Sequence, residues 1–221
     1  MKDIDSGLLS SRRSVMSLYS HPTDPASHAV RLVIAEKAIG ANIHLITEEN
    51  RPEDLLHLNP YGDILTLVDQ DLVIFEPQII MEYLDDRYPH PSLVVSDPVS
   101  RAKNRLFRHQ LERDVYPLVK RLLGEKKAKS AAKNNARQAL YDYIMMISRT
   151  LEERDYDYVI SEEFSLADCF LAPILLRLES CGISIPGEAR VLWRYCRGIL
   201  RREAFPQSMT DMEYELYVGG R

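Results

Sequence analysis

Ser165 and Asp168 stand three residues apart in front of an apolar run, a spacing that suits a serine nucleophile near an acid or a helix start that closes on itself. Ser165-Leu166-Ala167-Asp168 has the layout of a capping box, with Asp where Glu or Gln would reach back more easily, and the cap is preferred to a catalytic pair. Cys169, Cys181 and Cys196 are odd in number and too widely spaced for a two-cysteine metal knuckle, so they read as reduced thiols in or near the core. His44, His57 and His109 show no metal-ligand spacing with one another or with the cysteines. Only Gly62 marks the turn before Leu65, which leaves no glycine-rich phosphate cradle. No metal and no cofactor are expected.

The segment from Asn59-Pro60-Tyr61-Gly62 to Phe75-Glu76-Pro77-Gln78-Ile79-Ile80 has the outline of half of a small-molecule site. It predicts strand, tight turn, strand and helix: 64–68 and 72–75 are β-prone, and Asp69-Gln70-Asp71 is turn material. Pro77 then suits the first helical position, where its fixed φ helps and its missing N–H costs little. The polar groups that would hold a ligand are sparse.

The elements around this segment fall into two halves. Strand 15–19, helix 26–39 with Gly40 as its stop, strand 41–46, a short helix and the 64–75 hairpin give a small α/β unit over 14–88. Pro89-His90-Pro91-Ser92-Leu93 cannot continue a helix and opens a linker over 89–96. Asp97 caps a long helix opened by Pro98, with Val99, Ala102, Leu106, Val115, Leu118 and Leu122 at helical intervals. A second helix carries Ala136, Leu140, Ile144, Ile147 and Leu151, a third holds Pro173 and ends at Gly182, and a last one carries Leu192, Trp193, Cys196, Ile199 and Leu200. The expected fold class is α/β plus all-α, with the helical domain over 97–208, a flexible segment over 1–13 and a loose tail over 209–221. At 221 residues, 45% hydrophobic, the chain is long enough for one large or two small cores. No apolar run approaches the about 20 residues of a membrane span, and Met1-Lys2-Asp3-Ile4-Asp5-Ser6 lacks a signal-peptide core, so a cytoplasmic protein is expected. A net charge of −5 argues against sequence-specific or general nucleic-acid binding.

NPxGxxxTLVD over 59–69, a strand ending at Glu76, then IIMEYLDDRYPHPSL and FSLADCFLAP resemble the glutathione transferase family, and more closely its stringent starvation protein A branch. The resemblance runs from about Val15 to Phe205 and implies a glutathione transferase fold, a thioredoxin-like domain followed by a helical one. It further implies a dimer, homodimeric or with a related chain, and binding to RNA polymerase holoenzyme, through the sigma factor, in place of conjugation chemistry. The promoter choice adjusted would be that of starvation or stress.

Three positions weigh against glutathione. Relatives that bind it place a cis proline where Leu65 stands, and the cis form costs about 2.5–4 kcal/mol for an ordinary residue, so Ile64-Leu65 is predicted trans. Relatives follow the acid at Glu76 with Ser or Thr, whose N–H and hydroxyl donate to the ligand carboxylate; Pro77 has neither, and such charge-assisted bonds are worth about 1.5–3 kcal/mol each. The resemblance sets Asp24 near the position of a redox cysteine, where a carboxylate repels a thiolate. Tyr19, Ser20 or Ser27 would serve the alternative, a glutathione-dependent transferase or peroxidase. A small regulatory ligand at a dimer cleft is left open.

The expected working surface is Pro89-His90-Pro91 with Tyr88 beside it. Two prolines hold His90 extended at low entropic cost, and Tyr88 adds an amphipathic ring of the kind enriched in interface hot spots. Basic residues between Arg101 and Lys133, among them Lys103, Arg105, Arg108, Arg113, Lys120, Arg121, Lys126, Lys127 and Lys129, read as a solvated face or a landing patch for an acidic surface. His28, Arg31 and Glu36 on the first helix, with Glu82 and Asp86 on the third, read as mixed surface charge or as the lining of a dimer interface.

Overall fold

The computed structural model describes residues 15–53, 55–124, 130–154 and 156–219. The segment over 1–13 and Lys126, Lys127 and Lys129 of the basic run lie outside them. Four strands, β1 (Ser17–Ser20), β2 (Asn42–Leu45), β3 (Thr66–Asp69) and β4 (Leu72–Phe75), form one sheet in the order β2-β1-β3-β4. The first two run parallel, joined through α1 (Pro25–Glu36), whereas β3 runs antiparallel to both β1 and β4. Gln70 makes the hairpin turn with φ of 58°.

Helix α1 starts as its residue types dictate: Asp24 accepts a hydrogen bond from Ser27 N at 2.8 Å, and Pro25 opens the first turn. It stops earlier than the sequence predicts. Ala38, not Gly40, takes the left-handed conformation with φ of 49°, and its N–H bonds the Ala35 carbonyl. After the short α2 (Leu55–Leu58), α3 (Pro77–Arg87) begins on Pro77 and buries Ile80, Met81 and Leu84.

The helical half begins with α4 (Pro98–Gln110), whose cap Asp97 accepts from Ser100 N at 2.8 Å. The single long helix expected here is three pieces: α4, a π-helical turn (Leu111–Val115) and α5 (Tyr116–Gly124). The periodic positions divide accordingly, with Val115 and Leu122 buried but Val99 60% and Leu106 57% exposed. Next come α6 (Ser130–Arg154), with all five of its expected apolar positions buried, and α7 (Leu166–Leu176), buried along its whole length with Pro173 inside. Gly182, φ 73°, closes the turns after α7 and does not end that helix. Helix α8 (Arg190–Leu200) buries Leu192, Cys196 and Ile199, but Trp193 faces outward, 41% exposed. Two short helices finish the chain, α9 (Ala204–Ser208) and α10 (Asp211–Gly219). Of the segment read as a loose tail, 211–219 is helical, and Glu213 within it is fully buried.

The core is continuous between the halves. Helix α1 packs on α3, α7 and α9, and one cluster takes in Leu18, Val33 and Leu67 with Leu111, Phe170 and Phe205. Ile46, Leu55 and Ile64 form a small satellite under Tyr19. None of the described helices is long and apolar enough to cross a membrane.

Candidate functional site

At the strand-to-helix junction the backbone makes a sharp turn. Glu76 has φ of 81°, a conformation few non-glycine residues adopt, and its exposed side chain makes no cap bond to α3. Pro77 removes the first N–H of that helix. Ile64–Leu65 is trans, since the one cis peptide among the described residues is His90–Pro91. Leu65 is buried in the main core and Ile64 in the satellite. Gln78 Nε2 donates to the Glu112 carboxylate. Burial pushes Glu112 upward in pKa and the Glu76 charge adds to that, against the Gln78 hydrogen bond. The junction is thus acidic and short of donors.

Two of the three hydroxyls of the catalytic alternative accept hydrogen bonds within the fold, and the third residue has its ring stacked. Ser20 is buried and accepts from Arg31 Nη1, Ser27 is buried and accepts from His21 N at 3.1 Å, and the Tyr19 ring stacks on His44 with centroids 5.1 Å apart. Asp24 is a helix cap.

One helix turn-and-a-half beyond the last buried residues of α3, the linker is held from beneath. Lys37, 6% exposed, donates to the carbonyls of Tyr88 at 2.5 Å and Pro91 at 2.6 Å and pairs with Asp85 at 2.6 Å. Asp85 also accepts from Leu93 N at 2.8 Å. Pro89, His90 and Pro91 stay exposed above these bonds and Tyr88 is half-buried. The exposed prolines of this ridge are as the sequence suggests, but Lys37 and Asp85 that fasten it were missed. The available signals were weak: a lysine one residue past a helix end, and an aspartate in Leu84-Asp85-Asp86, each of which ordinarily reads as surface.

A second set of polar contacts crosses from α3 to α8. Glu82 pairs with Arg105 at 3.0 Å and Arg108 at 2.5 Å; Arg108 Nε donates to Asn104 Oδ1, Asn104 Nδ2 to Ser165 Oγ, and Ser165 Oγ to Asp168. Asp168 also accepts from Ser165 N, Val159 N and Tyr195 Oη. Ser165 and Asp168 close the capping box at the start of α7. Burial alone would raise the Glu82 carboxyl, but the hydrogen bonds and charges of Arg105 and Arg108 prevail and hold it below its ordinary value. A carboxyl lowered in the fold stabilises fully above its unfolded pKa and loses that contribution as pH falls through the folded value. Stability is therefore expected to fall below about pH 4.5 more steeply in the native protein than in Glu82→Gln, measured as urea midpoints across that range.

Family comparisons decide the lineage. The chain matches the glutathione S-transferase N-terminal domain over residues 14–86 and the C-terminal domain over 108–203. It is 40% identical to the stringent starvation protein A homolog of Coxiella burnetii over 206 residues, covering 93% of this chain and 96% of that protein. The homolog from Haemophilus influenzae is 40% identical over 204 residues, 91% and 93% of the two chains. This chain belongs to the stringent starvation protein A family. Among solved structures, yeast Ure2p in complex with glutathione superposes with a TM-score of 0.81 at 18% identity, covering 89% of this chain and 94% of that one, which establishes the glutathione transferase fold.

In this member of the stringent starvation protein A family, His28 and Arg31 are buried, contrary to the surface role that their helical positions suggest. Glu213 receives Arg31 Nη2 at 2.6 Å, Arg177 Nη2 and Thr210 N at 3.0 Å. The Ser208 hydroxyl donates to the Phe205 carbonyl, so it accepts from His28 Nε2 at 2.9 Å, and His28 Nδ1 is left as an acceptor facing Arg177. His28 is accordingly neutral, as burial first and then the charges of Arg177 and Arg31 dictate. Glu36, also read as surface, is paired with Arg202 at 2.6 Å. Three members of the basic run are paired in the same way: Arg105 and Arg108 with Glu82, Arg113 with Asp114 at 2.8 Å. Among the described residues, no group of three His, Cys, Asp or Glu side chains is placed to hold a metal ion.

Proposed function

We propose that this member of the stringent starvation protein A family is a non-enzymatic adaptor that binds RNA polymerase holoenzyme through its sigma factor and adjusts promoter use under starvation. The observation that carries this reading is the Pro89-His90-Pro91 ridge, exposed to solvent yet bonded from below by Lys37 at two carbonyls. A surface held in one conformation loses little entropy on docking, so its few side chains can contribute their full contact energy. The neighbouring junction supports the absence of glutathione chemistry. Pro77 donates nothing, Glu76 and Glu112 repel an anionic tripeptide, and Ser20 and Ser27 are buried.

Partner and ridge are tested together. Tagged holoenzyme is expected to retain the native protein and to lose it with Pro89→Ala/His90→Ala/Pro91→Ala, while core enzyme without sigma retains neither. Lys37→Met keeps all three ridge side chains but frees their backbone; it is expected to weaken retention by about tenfold, a cost near 1.4 kcal/mol. Equal retention of all three proteins would reject the ridge as the contact.

The working form in this proposal is a homodimer in the cytoplasm, with the exposed apolar side chains of Ile79, Val99 and Leu106 on α3 and α4 supplying a face for a second copy. A glutathione-dependent activity is the second reading, favoured by one feature: Glu76 keeps its left-handed backbone, a strained geometry of the kind found at ligand clamps. Retention on immobilised glutathione, or turnover of an electrophile lost with Glu76→Ala, would favour it.

A further inference from the structure

The outer face of α8 is a second, separate surface. Arg190, Arg194, Arg197 and Arg201 recur every three or four residues, all are exposed, and none makes a salt bridge among the described residues. They form a row about 16 Å long at about 1.5 Å per residue. That row of four arginines, without a carboxylate partner among the described residues, stands out in a chain whose net charge is −5. Two depressions flank the row. One, of about 520 Å³, is lined by Gly187, Arg190, Trp193 and Arg197; the other, about 170 Å³, by residues that include Tyr156, Tyr158, Val191 and Arg194, with Asp157 as the one carboxylate on either wall. Trp193 is fixed in place, because its Nε1 donates to the Pro186 carbonyl at 3.0 Å.

We infer that this face docks an acidic helical segment of a partner protein, with carboxylates on the arginine row and one apolar side chain beside Trp193. Guanidinium forks pair with carboxylates in two-bond geometry, and a fixed indole next to a depression offers an apolar anchor point at small entropic cost. Charge complementarity selects the sign of the partner. The width selects its kind: a single row on one helix suits another helix, whereas a nucleic acid, tracked by phosphates along its backbone, would meet the chain's overall negative field. The ridge at Pro89-His90-Pro91 has no part in this surface, and the two stand or fall separately.

Trp193 is the chain's only tryptophan, so tryptophan emission, excited apart from the twelve tyrosines, reports on this face alone. The probe is a synthetic tryptophan-free peptide of about 14 residues, helical, with glutamates at every third and fourth position and a central leucine. Titration is expected to shift Trp193 emission saturably, with affinity falling at least about tenfold as salt rises from about 50 to 300 mM. Arg190→Glu/Arg194→Glu/Arg197→Glu is expected to abolish binding with an unchanged circular dichroism spectrum; should it unfold, Arg190→Glu and Arg197→Glu singly are each expected to weaken binding several-fold. The Pro89→Ala/His90→Ala/Pro91→Ala protein is expected to bind the peptide as the native protein does. Three results would overturn the inference: no emission change with the peptide, undiminished binding by folded charge-reversed protein, or tighter binding of a single-stranded RNA of equal length.

Discussion

Glu213→Ala is expected to lower the free energy of unfolding by about 3–5 kcal/mol, enough to threaten a domain of ordinary stability. The reason lies in what the substitution leaves behind. Arg31 is 3% exposed and Arg177 is fully buried, and both aim a guanidinium at the Glu213 carboxylate. Without it, two cations remain in a site with little water and only neutral partners. Burial already pulls Arg31 below its ordinary pKa, and Glu213 is the principal group acting the other way. Glu213→Gln, which keeps an acceptor but not the charge, is expected to fall between. Exchange of all three residues for apolar ones of similar volume is expected to recover much of the loss, because a buried ion cluster is stabilising chiefly relative to its own broken halves. Urea midpoints for the four proteins test this; a Glu213→Ala midpoint equal to the native one would show that the cluster contributes nothing.

Asp168→Ala is the second large effect, expected at about 3 kcal/mol or more. Its two oxygens accept from Ser165 N, Ser165 Oγ, Val159 N and Tyr195 Oη, all at 2.9–3.0 Å. Truncation would strand these donors in an interior where Asp168 itself is 0% exposed, and would also remove the cap of the most deeply buried helix. Ser165→Ala, which removes a single hydroxyl from the same network, is expected to cost about 1 kcal/mol. The comparison separates a cap from a hub: equal losses would mean that Asp168 acts only through Ser165.

Local rules made the caps and the proline helix starts legible. Asp24, Asp97 and Ser165 carry their chemistry in residue type and spacing, and Pro25, Pro77 and Pro98 tolerate few other positions. The apolar rhythm of α6 was equally legible, because Ala136, Leu140, Ile144, Ile147 and Leu151 all point into the core. On α4 the same rhythm misled: Val99, Ala102 and Leu106 are spaced as one stripe and Val115, Leu118 and Leu122 as another, but nine residues separate Leu106 from Val115, about half a turn out of phase at 3.6 residues per turn, and it is the second stripe that meets the core. The central polar cluster was not legible at all. Its members lie as far as 182 residues apart, and no local pattern distinguishes a buried Arg31 from an exposed one until α7, α9 and α10 are packed over it. Lys37 and Asp85 were missed for the same reason. Of the ridge, the rigid prolines could be read from sequence, but what they rest on could not.

The separation of Arg31 from Glu213 bears on biosynthesis. Translation at about 5–20 residues per second places the glutamate roughly 10–40 s behind the arginine, so the first half emerges and begins to collapse around a cation whose counter-charge does not yet exist. The α/β half cannot reach its final electrostatic state by itself, and a chain truncated before Glu213 would leave Arg31 and Arg177 without the carboxylate they share.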